Sequence, residues 1–262
     1  MSIQAAQDVA TSYSQPSGRK GKFFTAKRIG TPILIVVALG ALLTFLYLRG
    51  EPDSIEGFAL NWEYQLARID EHIRISITAA LLVAAIAIPL GIMASRTKSK
   101  FIRGVITGFA NVGQATPAIG VIILLALIIG IGWTTAIIAL VLYGMLPVLR
   151  NTMAGLAQID PFVVESAKGM GMTPLQILFR IELPLAVPVI LAGFRTTLVF
   201  SVGVATIATF INAGGMGETI VVGLKLSRPA VLLTGAVVVS CIALLMDWLA
   251  GLIEDVLRPK GV

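Results

Sequence analysis

Charge, cysteine and histidine are all scarce in this sequence. Only 13% of its 262 residues are charged, whereas soluble domains carry about 25%, and 56% are hydrophobic. A chain with so few charged side chains cannot cover its surface for water, so we predict an integral membrane protein. The single cysteine, Cys241, excludes an internal disulfide, and one cysteine with one histidine is too few for a metal-binding cluster.

A phosphate-binding loop is also missing. No stretch has the form Gly-x4-Gly-Lys-Ser/Thr, and the nearest one, from Gly18 to Phe23, has the wrong spacing. We therefore expect no catalytic residue, metal or cofactor in this chain. If ATP is the energy source for its function, another subunit must bind the ATP and the Mg²⁺. The net charge of +6 does not indicate nucleic-acid binding, because the basic residues flank apolar runs instead of forming one patch.

Six apolar runs predict six transmembrane helices and an all-α fold. A helix needs about 20 residues to cross the hydrocarbon core of a membrane, and the fourth run is short for this. No internal repeat is apparent, which disfavours a secondary transporter built from inverted repeats. The predicted spans are residues 32–48, 73–94, 104–131, 134–149, 187–211 and 230–253.

Lysine and arginine determine the predicted orientation. Basic residues cluster in the N-terminal tail (residues 1–31), in the loop after the second span and in the C-terminal tail (residues 256–262). By the positive-inside rule these segments, and with them both termini, are cytoplasmic. The acidic loop of residues 49–71 then lies outside, although Lys225 and Arg228 would lie there too, against the rule. We expect a multi-pass membrane protein in contact with lipid.

A loop with strong local signals, residues 157–187, separates the fourth and fifth spans. Asp160 followed by Pro161 has the form of a helix start, because aspartate caps free N–H groups and proline tolerates the first helical position. Gly169 or Gly171 can end that helix in the left-handed conformation. The pattern predicts a first short helix in this loop.

A second short helix is predicted directly afterwards. Thr173 and Gln176 have the spacing of a capping box, in which each side chain bonds to the other residue's backbone. The helix is expected to continue to Ile181 and to be broken by Pro184 and Pro188 before the fifth span.

The second helix carries an apolar face that needs a partner. Leu175, Leu178 and Phe179 recur at helical spacing and would share one side of the helix. The alternative is an ordinary amphipathic helix that lies on the membrane surface. Such helices are rich in bases, whereas residues 150–188 hold equal numbers of acids and bases, which argues against that alternative.

The spacing in this loop resembles the EAA loop of ABC importer permeases. That pattern is Glu-Ala-Ala, three residues, glycine, nine residues, isoleucine, one residue and Leu-Pro, with Ser166 here in place of the first alanine. The resemblance implies a knob that sits in a groove of a cytoplasmic ATP-binding subunit, which would bind ATP and Mg²⁺. The residues implied in ATPase coupling are Glu165, Ala167, Gly171, Thr173, Phe179, Ile181 and Pro184.

A wider resemblance covers residues 72–255 and is to the MetI-like permease fold. Within it, several segments resemble permeases of osmoprotectant importers, which move glycine betaine, carnitine or choline. This implies a protein of a bacterial inner membrane, a pore formed with a second permease, identical or related, and a substrate-binding protein outside the membrane. The matching segments are 112–117, 142–148, 167–171, 182–185, 190–195 and 213–217.

Two other functions stay open. One is an ABC permease for another small solute such as an amino acid, because related permeases share much of the pattern. The other is an ion-coupled carrier that acts alone. Such a carrier needs acidic residues within the membrane, and Asp247 is the one candidate.

Polar residues interrupt the third span. Pro117 removes a backbone hydrogen bond, and Asn111, Gln114 and Thr116 are costly in lipid unless they have partners. A break of this kind is tolerated where it lines a cavity or is packed by neighbouring helices. We expect these four residues in the translocation path or gate, the alternative being a kink that only serves packing.

Two charges and three glycines complete the candidate site. Arg195 and Asp247 lie at similar depth in the fifth and sixth spans, so we expect them to face the bundle interior and to pair with each other or with a neighbouring subunit. In the alternative, Arg195 extends to the cytoplasmic interface.

Gly214, Gly215 and Gly217 permit a tight outer turn. The resemblance places that turn near the binding protein, the alternative being a re-entrant turn without substrate contact.

Overall fold

The computed structural model describes residues 20–257, with side chains from residue 29 onward, and in that range the chain is helical without strands. This description leaves out residues 1–19 and 258–262 and the side chains of residues 20–28. Many of the basic residues on which the predicted orientation rests are among them. The elements are α1 (Lys20–Leu48), α2 (Ser54–Ala59), α3 (Trp62–Arg96), α4 (Lys100–Ala115), α5 (Ala118–Ile129), α6 (Trp133–Ala157), α7 (Pro161–Gly169), α8 (Pro174–Ile177), a π-helical segment (Leu178–Glu182), α9 (Leu183–Ala205), a 3₁₀ turn (Ile207–Ile211), α10 (Gly217–Lys225) and α11 (Pro229–Leu257).

Five of these helical stretches are long and apolar enough to cross a membrane, and α4 with α5 makes a sixth if this bent pair is counted as one span. The third predicted span is therefore broken, with an angle of 102° between its two helices. The break falls at Pro117, which has no N–H to donate, and at Thr116, whose extended backbone (φ −81°, ψ 140°) is what a residue before proline prefers.

Two helices extend beyond the predicted spans. The first helix begins at Lys20, with Pro32 inside it, although its apolar stretch Ile29–Leu48 agrees with the predicted span. The fourth span does not end at Leu149, because α6 continues to Ala157. Along this extension the polar side chains have partners, as when Asn151 donates to the Pro147 carbonyl at 2.8 Å. The charge of Arg150 therefore does not mark the end of the helix.

Pro184 and Pro188 do not break the chain before the fifth span. The π-helical segment runs directly into α9, and both prolines lie within that helix. Bonding changes from the wider π register to the α register just before Pro184. The missing proline N–H thus falls at the boundary between two hydrogen-bonding patterns. The loop of residues 157–187 therefore joins the fifth span without a flexible link.

Helix α6 is the centre of the bundle and packs along α3 and α9. Small residues allow close approach, which is how helices associate where no water drives them together. At Gly144 an added Cβ would lie about 3 Å from Thr197 and Val83, and the Thr197 hydroxyl donates to the Gly144 carbonyl at 2.9 Å. Helix α1, by contrast, packs mainly on α11 and exposes most of its apolar side chains.

The bundle has two chemically different faces. The basic face, named here for Arg96, Lys98, Lys100 and Arg103, also holds the ends of α3 and α6 and the segment of residues 160–182. The acidic face holds residues 49–71 and 212–228, which include Glu71 and Glu218. Each long helix runs from one face to the other.

We expect Gly193→Ala to destabilise the protein by about 1–3 kcal/mol, since overpacked cores lose this much. A Cβ at Gly193 would lie 2.7 Å from the Asn151 Cβ and 2.8 Å from the Pro147 carbonyl oxygen of α6. Gly203→Ala on the same helix is the control, because nothing lies within 4 Å of its added Cβ. Thermal unfolding of the two purified variants in detergent compares them; equal midpoints would contradict this packing.

Candidate functional site

Residues 160–182, called here the docking segment, form two capped helices and a turn, as predicted. Asp160 accepts a hydrogen bond from the Phe162 amide at 2.9 Å and so starts α7. Thr173 and Gln176 form the capping box of α8, with Gln176 Oε1 accepting from the Thr173 amide at 2.8 Å. Between them Gly171 has a φ of +79°, which disfavours any residue with a Cβ. Local bonds thus fix the shape of the segment.

The docking segment exposes large apolar side chains instead of burying them. Phe162, Met170, Leu175 and Phe179 are exposed by 75%, 73%, 67% and 63%. The prediction that Leu178 shares this exposed face is wrong, because its exposed fraction is 8%. The π register begins at Leu178, so the regular spacing that would have aligned it with Leu175 ends there.

The residues of the EAA pattern divide between the surface and the interior. Glu165, Gly171 and Pro184 are exposed, Ala167 is fully buried and Ile181 is half-buried. Ala167 thus packs the segment together, while the glutamate stays accessible to a partner. Since no partner chain is present, the coupling role of these residues stays a prediction.

Sequence reasoning missed one acid of the segment, Glu182. It is 7% exposed and accepts a hydrogen bond and ion pair from Arg96, the last residue of α3. A polar cavity of about 220 Å³ lies beside the pair and is also lined by Ser95, Arg103 and Met153. A charged residue directly before Leu-Pro at the edge of an apolar run was the available signal.

The polar residues of the third span lie at its break. Asn111 Oδ1 accepts from Arg150 Nη2 at 2.7 Å, which joins α4 to α6. Thr116 donates to the carbonyl of its own helix, at Val112, and Gln114 is half-buried. The break at Pro117 is confirmed. The assignment of these residues to a path or gate stays a prediction.

Arg195 of α9 and Asp247 of α11 pair, as predicted. Arg195 Nε and Nη2 donate to the two carboxylate oxygens of Asp247, the second bond measuring 2.5 Å. Glu254 lies 3.7 Å from the same guanidinium. A neighbouring helix thus supplies a partner for the charge of this arginine. Whether the pair lines the translocation path stays a prediction.

The glycine turn on the acidic face is held by side chains of α3. Gly214 and Gly215 have φ values of +84° and +89°, and the Gly215 amide donates to Glu71 Oε2 at 2.8 Å. Gly217 has no room for a side chain against the Thr206 carbonyl. The expected tight turn is confirmed, while its contact with substrate or partner stays a prediction.

Sequence reasoning did not identify Gln65, Arg68 and Glu71 as the α3 residues that surround this turn. Arg68 pairs with Glu218 and with Glu71, the latter at 3.0 Å, and Gln65 Nε2 donates to Thr219 Oγ1 at 3.2 Å. His72 is fully buried and its Nε2 donates to the Val202 carbonyl at 3.0 Å. Period-3.6 spacing along α3 could have indicated one shared face, but not what that face contacts.

The loop between α1 and α3 is fastened by ion pairs. Arg49 holds Glu56 with two hydrogen bonds, of 2.8 Å and 2.6 Å, and Asp53 pairs with Arg228 at 2.6 Å. The Glu56 amide bonds to the Asp53 carboxylate and, together with Arg228, lowers the pKa of Asp53. The bonded Glu56 raises the pKa of Arg49. The pair of Asp53 with Arg228 ties the loop to the start of α11.

Comparison with known proteins gives one family. Residues 87–259 match the family described as binding-protein-dependent transport system inner membrane component. The choline transport system permease protein OpuBB of Bacillus subtilis is 40% identical over 192 residues, which cover 73% of this chain and 88% of that protein. The carnitine transport permease protein OpuCD of Listeria monocytogenes is 40% identical over 206 residues, covering 78% and 92%.

Two further comparisons agree with that family. The osmoprotectant import permease protein OsmY of Salmonella typhimurium is 38% identical over 191 residues, covering 73% of this chain and 81% of that protein. Among solved structures, an inward-facing MetNI methionine ABC transporter superposes with a TM-score of 0.67 at 21% identity, covering 74% of this chain and 96% of the other. At that identity the likeness concerns the fold, which is MetI-like and all-α.

We expect Gly171→Val to open the turn of the docking segment. A left-handed backbone costs a residue with a Cβ roughly 1–2 kcal/mol, so the fraction of molecules in which this turn is open should rise about five- to thirtyfold. Trypsin cleavage at exposed Lys168 measures this opening. Gly169→Val is the matched control, since Gly169 has no positive φ and open space around it. Equal cleavage rates in both variants would contradict the turn geometry.

Proposed function

Because the chain belongs to the family of binding-protein-dependent transport system inner membrane components, we propose that it is the permease subunit of an ATP-driven importer of small osmoprotectants. Its substrates on this proposal are compounds such as glycine betaine, carnitine or choline. The substrate crosses the membrane by alternating access through a pore made with a second permease, identical or related.

The observation that carries the proposal is the docking segment. A membrane protein that exposes four large apolar side chains on a preformed pair of helices leaves a surface that water disfavours. Its fixed shape means that little ordering is needed when a partner binds, which favours association. We propose that this partner is the ATP-binding subunit, and that it contacts Glu165, Gly171, Leu175 and Phe179.

The proposed orientation follows from the charges. Lysine and arginine at the ends of α3 and α4 favour a cytoplasmic position for the basic face. The docking segment on that face can then reach a cytoplasmic ATPase, which binds ATP and Mg²⁺ itself. The permease contributes no catalytic residue. The substrate-binding protein would dock from outside, on the acidic face around Gly214, Gly215 and Gly217.

Substrate class is supported by the relatives. The choline permease OpuBB, the carnitine permease OpuCD and the osmoprotectant permease OsmY match this chain over 81–92% of their own length. An ion-coupled carrier that acts alone is disfavoured, since its one candidate coupling acid, Asp247, is bound to Arg195. An amino-acid permease remains the second outcome of the substrate test.

We expect the double substitution Leu175→Ala with Phe179→Ala to reduce capture of the ATP-binding subunit by the purified permease. Removing large apolar side chains from an interface costs up to several kcal/mol at its centre, so capture should fall at least about tenfold. Phe101→Ala is the control, since it removes an even more exposed phenylalanine, 79% against 63% for Phe179, from the basic face outside the segment. Capture that survives the double substitution would reject the docking surface.

The substrate assignment is tested on the cognate binding protein. Calorimetric titration with glycine betaine, choline, carnitine and a panel of amino acids should show binding of one or more of the first three only. Binding of an amino acid in their place would leave the permease proposal intact and replace the substrate class.

A further inference from the structure

Helix α3 connects the two faces of the bundle. It is one helix of 35 residues, about 52 Å long at 1.5 Å per residue, with Pro89 inside it. Its last residue, Arg96, lies on the basic face beside the docking segment. Its residues 65–72 lie on the acidic face beside the glycine turn. Helix α3 therefore contacts both the docking segment and the glycine turn, the two regions that the proposed function assigns to partner proteins.

On the basic face the contact is a single ion pair. Arg96 binds Glu182, which closes the π-helical segment and immediately precedes α9. Glu182 is 7% exposed, and Arg96 is the partner that neutralises its charge. A buried carboxylate that lost this partner would keep its desolvation cost, so the pair holds the end of α3 firmly to the docking segment.

On the acidic face α3 makes a series of contacts with one stretch of chain, residues 214–219. Arg68 binds Glu218, Glu71 accepts from the Gly215 amide, and Gln65 donates to Thr219. These residues follow each other on one side of the helix at intervals of three. A shift of α3 along or about its axis must therefore move the glycine turn with it.

Between these ends α3 is tightly packed. Its residues Ile75, Ala79, Val83 and Ala87 are fully buried and belong to the main core cluster. Pro89 removes one backbone hydrogen bond of α3, but Ala94 beyond it is also fully buried. Close-packed interiors change between discrete arrangements and deform little, so such a helix moves as one body.

We propose that the Arg96–Glu182 pair is the joint through which movement of the docking segment reaches α3, and through α3 the glycine turn on the acidic face. The proposal rests on the proposed function, since it requires an ATP-binding subunit that moves the segment. It assigns to Arg96 and Glu182 a role separate from docking: with the pair broken, the ATPase still binds and hydrolyses ATP, but the acidic face no longer responds.

The test compares Glu182→Gln and Arg96→Gln with the unmodified permease, each assembled with its ATP-binding subunit in proteoliposomes. The probe is whichever of glycine betaine, choline and carnitine the unmodified complex takes up when its binding protein is added. We expect substrate transported per ATP hydrolysed to fall about fivefold or more in both variants, which is the usual lower range of coupling between distant sites. Arg74→Gln is the control, because it removes an equally charged partner from α3 in an exposed pair with Asp70 that joins no other helix.

Exchange of the two charges separates coupling from simple damage. Arg96→Glu combined with Glu182→Arg rebuilds the pair with opposite polarity, and we expect it to recover a large part of the transport ratio.

A second readout lies at the other end of α3. In a Cys241→Ala background, Ala213→Cys places a thiol at a buried position of the glycine turn. Its labelling by a membrane-impermeant maleimide should change on addition of ATP, and this change should disappear with Glu182→Gln.

The outcomes keep the two proposals apart. If the ATP-binding subunit does not purify with the unmodified chain, the proposed function fails. If that subunit does purify with the chain, and both variants keep the transport ratio and the ATP-dependent labelling of the unmodified permease, the role of the Arg96–Glu182 pair is refuted. The proposed function then still stands. Should Arg96→Gln fail to insert because it leaves the buried Glu182 carboxylate unpaired, Glu182→Gln decides the question, since it removes that buried charge and leaves only the half-exposed Arg96 without a partner.

Discussion

Removal from water is the constraint on which the rest of this structure depends. Inside a bilayer each backbone N–H and carbonyl, and each charge, needs a partner within the protein. The helices satisfy the backbone, and Arg195 with Asp247 shows the same rule for side chains. Where Pro117 removes a donor, the chain changes direction by 102° and polar residues gather at the bend. The irregular places of the bundle are therefore the places where polar groups could be accommodated together.

The same constraint explains why the two faces differ. Outside the hydrocarbon core water is available, and there the chain uses caps, turns and ion pairs to shape its surfaces. The acidic face is closed by pairs such as Asp53 with Arg228. The basic face presents a segment whose polar bonds are satisfied internally by Asp160, Thr173 and Gln176, while its large apolar side chains are left uncovered. Such a surface is suited to a partner that is always present.

Local patterns made the docking segment predictable from sequence. Caps, the glycine with positive φ and the capping box depend on residues within a few positions of each other, and all were found where expected. The partners of Glu182 and Arg68 could not be predicted, because they lie 86 and 150 residues away and depend on how the helices pack. The continuity through Pro184 was also missed, since proline is read as a helix breaker and a π register is not visible in composition.

The π-helical segment has a consequence for how the two working parts of the chain are aligned. A π turn holds one residue more than an α turn, so it rotates the helices before it relative to the helix after it. Residues 178–182 therefore set the direction in which α7 and α8 point around the axis of α9. Loss of one residue there would restore regular α geometry and turn the docking helices by about 100° about that axis. The length of this short stretch thus fixes the direction of the docking helices relative to α9, which no single side chain in it determines.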